Sequence, residues 1–134
     1  DGYTIRNDGV NIDLSGLNIY DITNFRMFTN PETVNLARNN ISNLYVFANC
    51  PNRMLVKNLN LSYNALSDIT PIAYLPNLET LDLSYNTMIN SELPLMALYN
   101  LRQLNVTGTM LTLQQVMNLR AGLPTCNVIS GYGW

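Results

Sequence analysis

Short bursts of alternating hydrophobic and polar positions recur along this chain. The string Leu-x-Leu-x-x-Asn-x-Leu stands in two clear copies, Leu59-Asn-Leu61-Ser-Tyr-Asn64-Ala-Leu66 and Leu81-Asp-Leu83-Ser-Tyr-Asn86-Thr-Met88, and in four looser ones. Aligned on their first residue, the copies begin at Ile12, Val34, Leu59, Leu81, Leu104 and Cys126, at steps of 22, 25, 22, 23 and 22 residues. A fixed period in this range marks a solenoid, in which each unit buries its apolar face only against its neighbours.

Within a unit the pattern predicts three elements. Leu78-Glu-Thr-Leu81-Asp-Leu83 alternates with period 2, so a strand should point Leu81 and Leu83 inward and Thr80, Asp82 and Ser84 outward. The chain then turns at Asn39, Asn64 and Asn86, whose amides can satisfy backbone groups left unpaired by the turn and stack into an internal ladder. Leu17, Thr109 and Gly131 take this place in the outer copies, so the ladder should be strongest in the middle. The return path carries an apolar residue every third position, as in Ile19, Ile22, Phe25, Phe28, then Ile41, Leu44, Phe47, Cys50, then Leu66, Ile69, Ile72, Leu75. That spacing suits a 3₁₀ turn or short helix, and Pro71 and Pro76 keep the third return from becoming a long α-helix. The fifth return differs: Thr112 is a helix cap, the residues to Ala121 favour helix, and Gly122 reads as a stop.

The length of 134 residues suits one domain, 1–134, with units starting near 9, 31, 56, 78, 101 and 123. Hydrophobic residues make up 47% and charged residues only 12%, so the surface should be polar through Asn, Ser, Thr and Tyr. A net charge of −2 and a single lysine, Lys57, argue against nucleic-acid binding. No apolar run reaches the ~20 residues of a bilayer span. Asp1 opens the chain with neither an initiator Met nor a signal-peptide pattern, which points to a processed or engineered boundary. Cys50 and Cys126 should stand at least three strand steps apart, roughly 14 Å, beyond disulfide reach, and so read as buried thiols.

These residues resemble the leucine-rich repeat family, whose consensus is Leu-x-x-Leu-x-Leu-x-x-Asn-x-Leu. The stretch Leu66-Ser-Asp-Ile-Thr-Pro-Ile-Ala-Tyr-Leu-Pro-Asn-Leu78 is similar to the 22-residue subclass of bacterial internalins and certain phosphatase regulators. The tail Leu119-Arg-Ala-Gly-Leu-Pro-Thr-Cys-Asn-Val128 is more similar to the helix-bearing, ribonuclease-inhibitor-like subclass. The resemblance implies an α/β fold: a right-handed solenoid of six repeats, with a parallel sheet on the concave face and 3₁₀ turns or short helices on the convex one. It also implies a protein partner held on the concave face. The cysteine clusters that flank many secreted members are missing, which leaves residues 1–8 and the tail Ser130-Gly-Tyr-Gly-Trp134 as candidate caps, Tyr132 and Trp134 lying over the last core.

No catalytic set assembles, and no cofactor or metal is implied. The chain has no histidine, which removes the commonest general base and metal ligand together. Asp13 and Asp82 share a strand column but should lie roughly 14 Å apart, too far for paired carboxylate chemistry. Asp21 and Asp68 fall in convex turns and read as solvated. The expectation is a non-enzyme.

Outward strand positions are more telling. The position between the two inward residues reads Asp13, Asn35, Asn60, Asp82, Asn105 and Asn127, although Asx is depleted in strands. Such a stripe either bonds to itself and stiffens the sheet, or offers a hydrogen-bonding platform to a polar or glycan-bearing partner. A neighbouring column holds Gly16, Arg38, Tyr63, Tyr85, Gly108 and Ser130. Arg and Tyr are enriched at binding hot spots, so Arg38, Tyr63 and Tyr85 are either turn-edge packing or the contact centre. The sequons at Asn40, Asn60 and Asn105 read as products of an Asn- and Ser/Thr-rich repeat. The expected function is therefore a recognition module that binds a protein or glycan-bearing partner through Arg38, Tyr63, Tyr85, Asn35, Asn60, Asp82 and Asn105. Its place would be secreted or at the cell surface, with the cytoplasm as the alternative. A structural spacer in a longer surface protein is the second expectation, and an ice-binding surface a distant third.

Overall fold

The computed structural model describes residues 10–132. Six parallel strands run in sequence order: β1 (Asn11–Asp13), β2 (Thr33–Asn35), β3 (Asn58–Asn60), β4 (Thr80–Asp82), β5 (Gln103–Asn105) and β6 (Asn127–Ile129). Each is three residues long, and an Asx turn ends each of the first five at once. Return segments pass through 3₁₀ turns at Thr23–Met27, Tyr45–Ala48, Thr70–Tyr74 and Leu93–Ala97. A further 3₁₀ turn, Arg53–Leu55, takes up the extra residues of the 25-residue step. The fifth return is α1 (Leu113–Gly122), opened by a capping box in which the Thr112 hydroxyl accepts from the Gln115 amide and the Gln115 side chain accepts from the Thr112 amide.

The apolar lattice is as the period predicts. Leu59, Leu61, Leu81 and Leu83 lie inside, and the convex beat of Ile41, Leu44, Phe47, Leu66, Ile72 and Leu75 closes over them with no residual exposure. Phe25 meets Phe28 and Phe47 edge to face. Cys50 and Cys126 are free and buried, and burial pushes both thiols up from their ordinary pKa.

The asparagine ladder is present and dense. Asn39 accepts from the amides of Leu17 and Ile19 and donates to the carbonyls of Leu14 and Leu36. Asn64 links Ile41 to Leu36 and Leu61, and Asn86 links Leu66 to Leu61 and Leu83. Thr109 keeps only local bonds, to Val106 and Leu111. A second set, not anticipated from the pattern, closes the return to the strand: Asn52 donates to Phe25 and Phe28, Asn77 to Met54, and Asn100 to Pro76. On the convex side Asp21, Asn43 and Asp68 each accept from the first amide of a 3₁₀ turn. Asp68 also accepts from the Tyr45 hydroxyl, so these aspartates, although exposed, are turn caps.

Three expectations need correction. Leu104 pairs with Val128, and Asn105 with Ile129, so the last copy is in register from Val128 and the step is 24 residues. An α-helix advances only ~1.5 Å per residue, so α1 uses more residues than a 3₁₀ return to cover the same arc. Gly122 does not end α1 in a left-handed cap; it is the last helical residue, and a Cβ there would meet Met96 Cε at 2.2 Å. Ser84, expected to point outward, is buried, as are Ala37 and Ser62 at the matching positions, the two serine hydroxyls folding onto Asn60 and Asp82 at 2.7 and 2.6 Å. Of the candidate caps, residues 1–8 and Trp134 lie outside the described residues. Tyr132 stays half-exposed and ties down through its hydroxyl to the Leu111 carbonyl at 2.9 Å.

Glu92 joins the last 3₁₀ turn to α1. Its buried carboxylate accepts from Asn118 at 3.1 Å and Gln115 at 3.2 Å. The Asn118 bond, more than burial opposes it, holds this carboxyl below the ordinary glutamate value of 4.5. A depressed folded-state pKa adds stability that is complete above 4.5 and is lost as pH falls through the folded value. Asp13, Asp21 and Asp68 are shifted the same way, each chiefly by bonds from a Ser or Thr two residues on. Denaturant midpoints are therefore expected to fall between pH 5 and 3, and the gap between wild type and Glu92→Gln to narrow over that interval. A constant gap would show that the Glu92 charge has no part in it.

Candidate partner-binding face

Where each of the first five strands ends, one column turns left-handed. Gly16 and Gly108 adopt φ of +67° and +75° there, while Arg38, Tyr63 and Tyr85 adopt +59°, +57° and +60°. Glycine enters this region freely, whereas a side chain is held there at a cost of about 1–2 kcal/mol. Three bulky residues thus sit where the neighbouring copies use glycine. The sequence signal was the pair of glycines in the same column, which marks a positive φ.

Their side chains form one stack. The Arg38 guanidinium lies 4.2 Å from the Tyr63 ring centroid, and the Tyr63 and Tyr85 rings stack at 4.7 Å and 18°. Gly108 completes it, for a Cβ at that position would stand 2.6 Å from Tyr85 Cδ1. The structure therefore brings Arg38, Tyr63 and Tyr85 together, as the column predicted.

The Asx column has a local job that the sequence reading did not anticipate. Oδ1 of Asp13, Asn35, Asn60, Asp82 and Asn105 each accepts from the amide two residues on, that of Ser15, Ala37, Ser62, Ser84 or Thr107. These are Asx turns, which explains Asx in a strand without a partner. They occupy one side-chain atom each and leave Nδ2 or Oδ2 over the concave floor. Asn127 is not in this column, because the shifted register places Ile129 there. Side-chain bonding between strands does occur two residues earlier, where Asn58 donates to Thr33 and Thr80 donates to Asn58.

Charge is sparse and set aside. Lys57 pairs with Glu32 and Arg102 with Glu79, both at 3.8 Å, on the flank where the strands begin. Arg38 has no acidic partner among the described residues. Nor do three or more His, Cys, Asp or Glu side chains among them gather to hold a metal ion.

The family described as leucine-rich repeats (two copies) matches residues 56–95. Internalin C2 of Listeria monocytogenes superimposes with a TM-score of 0.74 over 90% of this chain, at 26% identity. The chain has a leucine-rich repeat fold. A second Listeria monocytogenes internalin, inlF, matches 84% of this leucine-rich repeat chain at 25% identity with a TM-score of 0.74. A leucine-rich repeat protein of Leptospira interrogans shares the fold, with a TM-score of 0.67 and 22% identity over 80% of the chain. The chain spans 50%, 32% and 27% of those three structures in turn. No curated protein is significantly similar in sequence. A leucine-rich repeat fold implies a protein-interaction module. Among the described residues no helix is long and apolar enough to cross a membrane.

Proposed function

We propose that this leucine-rich repeat chain recognises another protein through its concave side, with Arg38, Tyr63 and Tyr85 as the contact centre and Asn35, Asn60, Asp82 and Asn105 supplying polar contacts beside it. The observation that carries the reading is the left-handed column. Backbone strain held at adjacent positions, where glycine would relieve it, is a mark of function rather than of folding. Tyr rings also offer large amphipathic area at low entropic cost. The polar, lysine-poor surface favours a secreted or cell-surface location.

Tyr63→Ala and Tyr85→Ala should each weaken binding to a partner found by displayed-protein screening by about 2 kcal/mol or more, read by surface plasmon resonance. Their thermal melts should stay near wild type, because the inward lattice is untouched. Tyr20→Ala, on the convex side at 74% exposure, should change little. Binding lost in Tyr20→Ala but kept in both other variants would move the site off the concave side. A second reading, a spacer within a longer array, draws support from the outer edges of β1 and β6, unpaired among the described residues. Under that reading all three variants bind alike.

A further inference from the structure

Exposed apolar side chains gather where the strands end, on the rim rather than on the floor. Tyr63 and Tyr85 are 41% and 44% exposed, and Met88, just past the Asn86 turn, is 59% exposed. In the next repeat Met110 is 54% exposed, and its amide donates to the Ile89 carbonyl, which sets it beside Met88. Tyr132 extends the line, its hydroxyl on the carbonyl that follows Met110. The exposed convex tyrosines 20, 45, 74 and 99 share no such line: they fall before, at the start of, at the end of and after their 3₁₀ turns.

Two features narrow what covers this rim. Both faces of the Tyr63 ring are taken, one by Arg38 and one by Tyr85, and Gly108 closes on the far side of Tyr85. A sugar ring stacks on an open aromatic face, and neither Tyr63 nor Tyr85 offers one; their ring edges and hydroxyls are what remain. Arg38, at the other end of the line, holds its guanidinium over the Tyr63 ring with no acidic partner among the described residues. A guanidinium in that state accepts a carboxylate in its fork.

We infer that the rim binds an extended segment of a protein partner, acidic where it meets Arg38 and apolar where it meets Tyr85, Met88, Met110 and Tyr132. This rests on the recognition reading above and deepens it: the contact centre at Arg38, Tyr63 and Tyr85 extends along the rim rather than across the concave floor. From the second repeat to the sixth is four strand steps of about 4.8 Å, the length of roughly six residues of extended chain.

The test is to pan a phage-displayed random peptide library on the immobilised chain, then measure a synthetic enriched peptide by fluorescence anisotropy. The rim predicts sequences with Asp or Glu followed or preceded, within about six residues, by aromatic or aliphatic side chains. Arg38→Glu and Met110→Asp should each weaken that peptide at least tenfold, Arg38→Lys less, and Gln103→Lys, an exposed floor position, little; circular dichroism melts confirm that the variants fold. A library that enriches nothing, or enriches peptides without acids, overturns the inference. So does a peptide lost in Gln103→Lys but kept in Arg38→Glu and Met110→Asp, which leaves recognition by the concave floor standing without the Arg38 centre. A peptide lost only in Tyr20→Ala overturns both.

Discussion

Phe47→Ala is expected to lower the unfolding free energy by about 3–5 kcal/mol. Phe47 has no residual exposure, and its ring stands edge-on to Phe25 at 5.3 Å and 88°. Alanine removes the apolar area, the aromatic pair and the filling of the space beneath two return segments. In a solenoid that loss falls on two interfaces, those of the second repeat with the first and with the third. Chains of this size have about 5–15 kcal/mol in total, so a fifth of the margin or more would go. Urea denaturation followed by far-ultraviolet circular dichroism measures it. A loss under about 1 kcal/mol would mean that the first repeats move to refill the space, well below the range for a buried Phe.

Asn86→Ala should be nearly as damaging, though it removes no hydrophobic contact. The Asn86 side chain is fully buried and bonds three backbone groups from two repeats, the Leu66 amide at 3.1 Å and the Leu61 and Leu83 carbonyls at 2.9 and 3.0 Å. Each buried group left unpaired costs about 1–3 kcal/mol, and partial relaxation brings the expected sum to about 3 kcal/mol. Thr109→Ala, which releases only local bonds, should do much less. Native-state hydrogen exchange adds a local reading: the Leu66 amide should lose protection in Asn86→Ala beyond the global change. Equal effects from Asn86 and Thr109 would count against the ladder as a source of stability.

The lattice of inward leucines, the convex beat and the Asn turns were legible because each leaves a periodic trace. The register of β6 was not. Cys126 and Val128 both lie inward, so alternation alone accepts either alignment, and only the path of α1 separates them. The Arg38–Tyr63–Tyr85 column was legible as residue types, but the left-handed backbone beneath it shows in the hydrophobic pattern only through Gly16 and Gly108. The Asx stripe drew attention for the right reason, depletion in strands, while its bonds to the amides two residues on are local and invisible to a reading by column. Glu92 left no trace at all, since its partners Gln115 and Asn118 belong to the one return segment that breaks the pattern.

The strictly sequential sheet, β1 to β6 with no crossover, has a mechanical consequence. Its hydrogen bonds lie along the stacking axis, so tension on the two ends pulls each bond in line and one repeat at a time, never a whole ladder in shear. The chain should behave as a soft spring that yields by peeling from an end. Leu17 gives the first repeat no turn amide of its own, and Asn39 from the second repeat serves it instead. Peeling begun at β1 therefore breaks one ladder rung and leaves the rungs at Asn64 and Asn86 carrying the load.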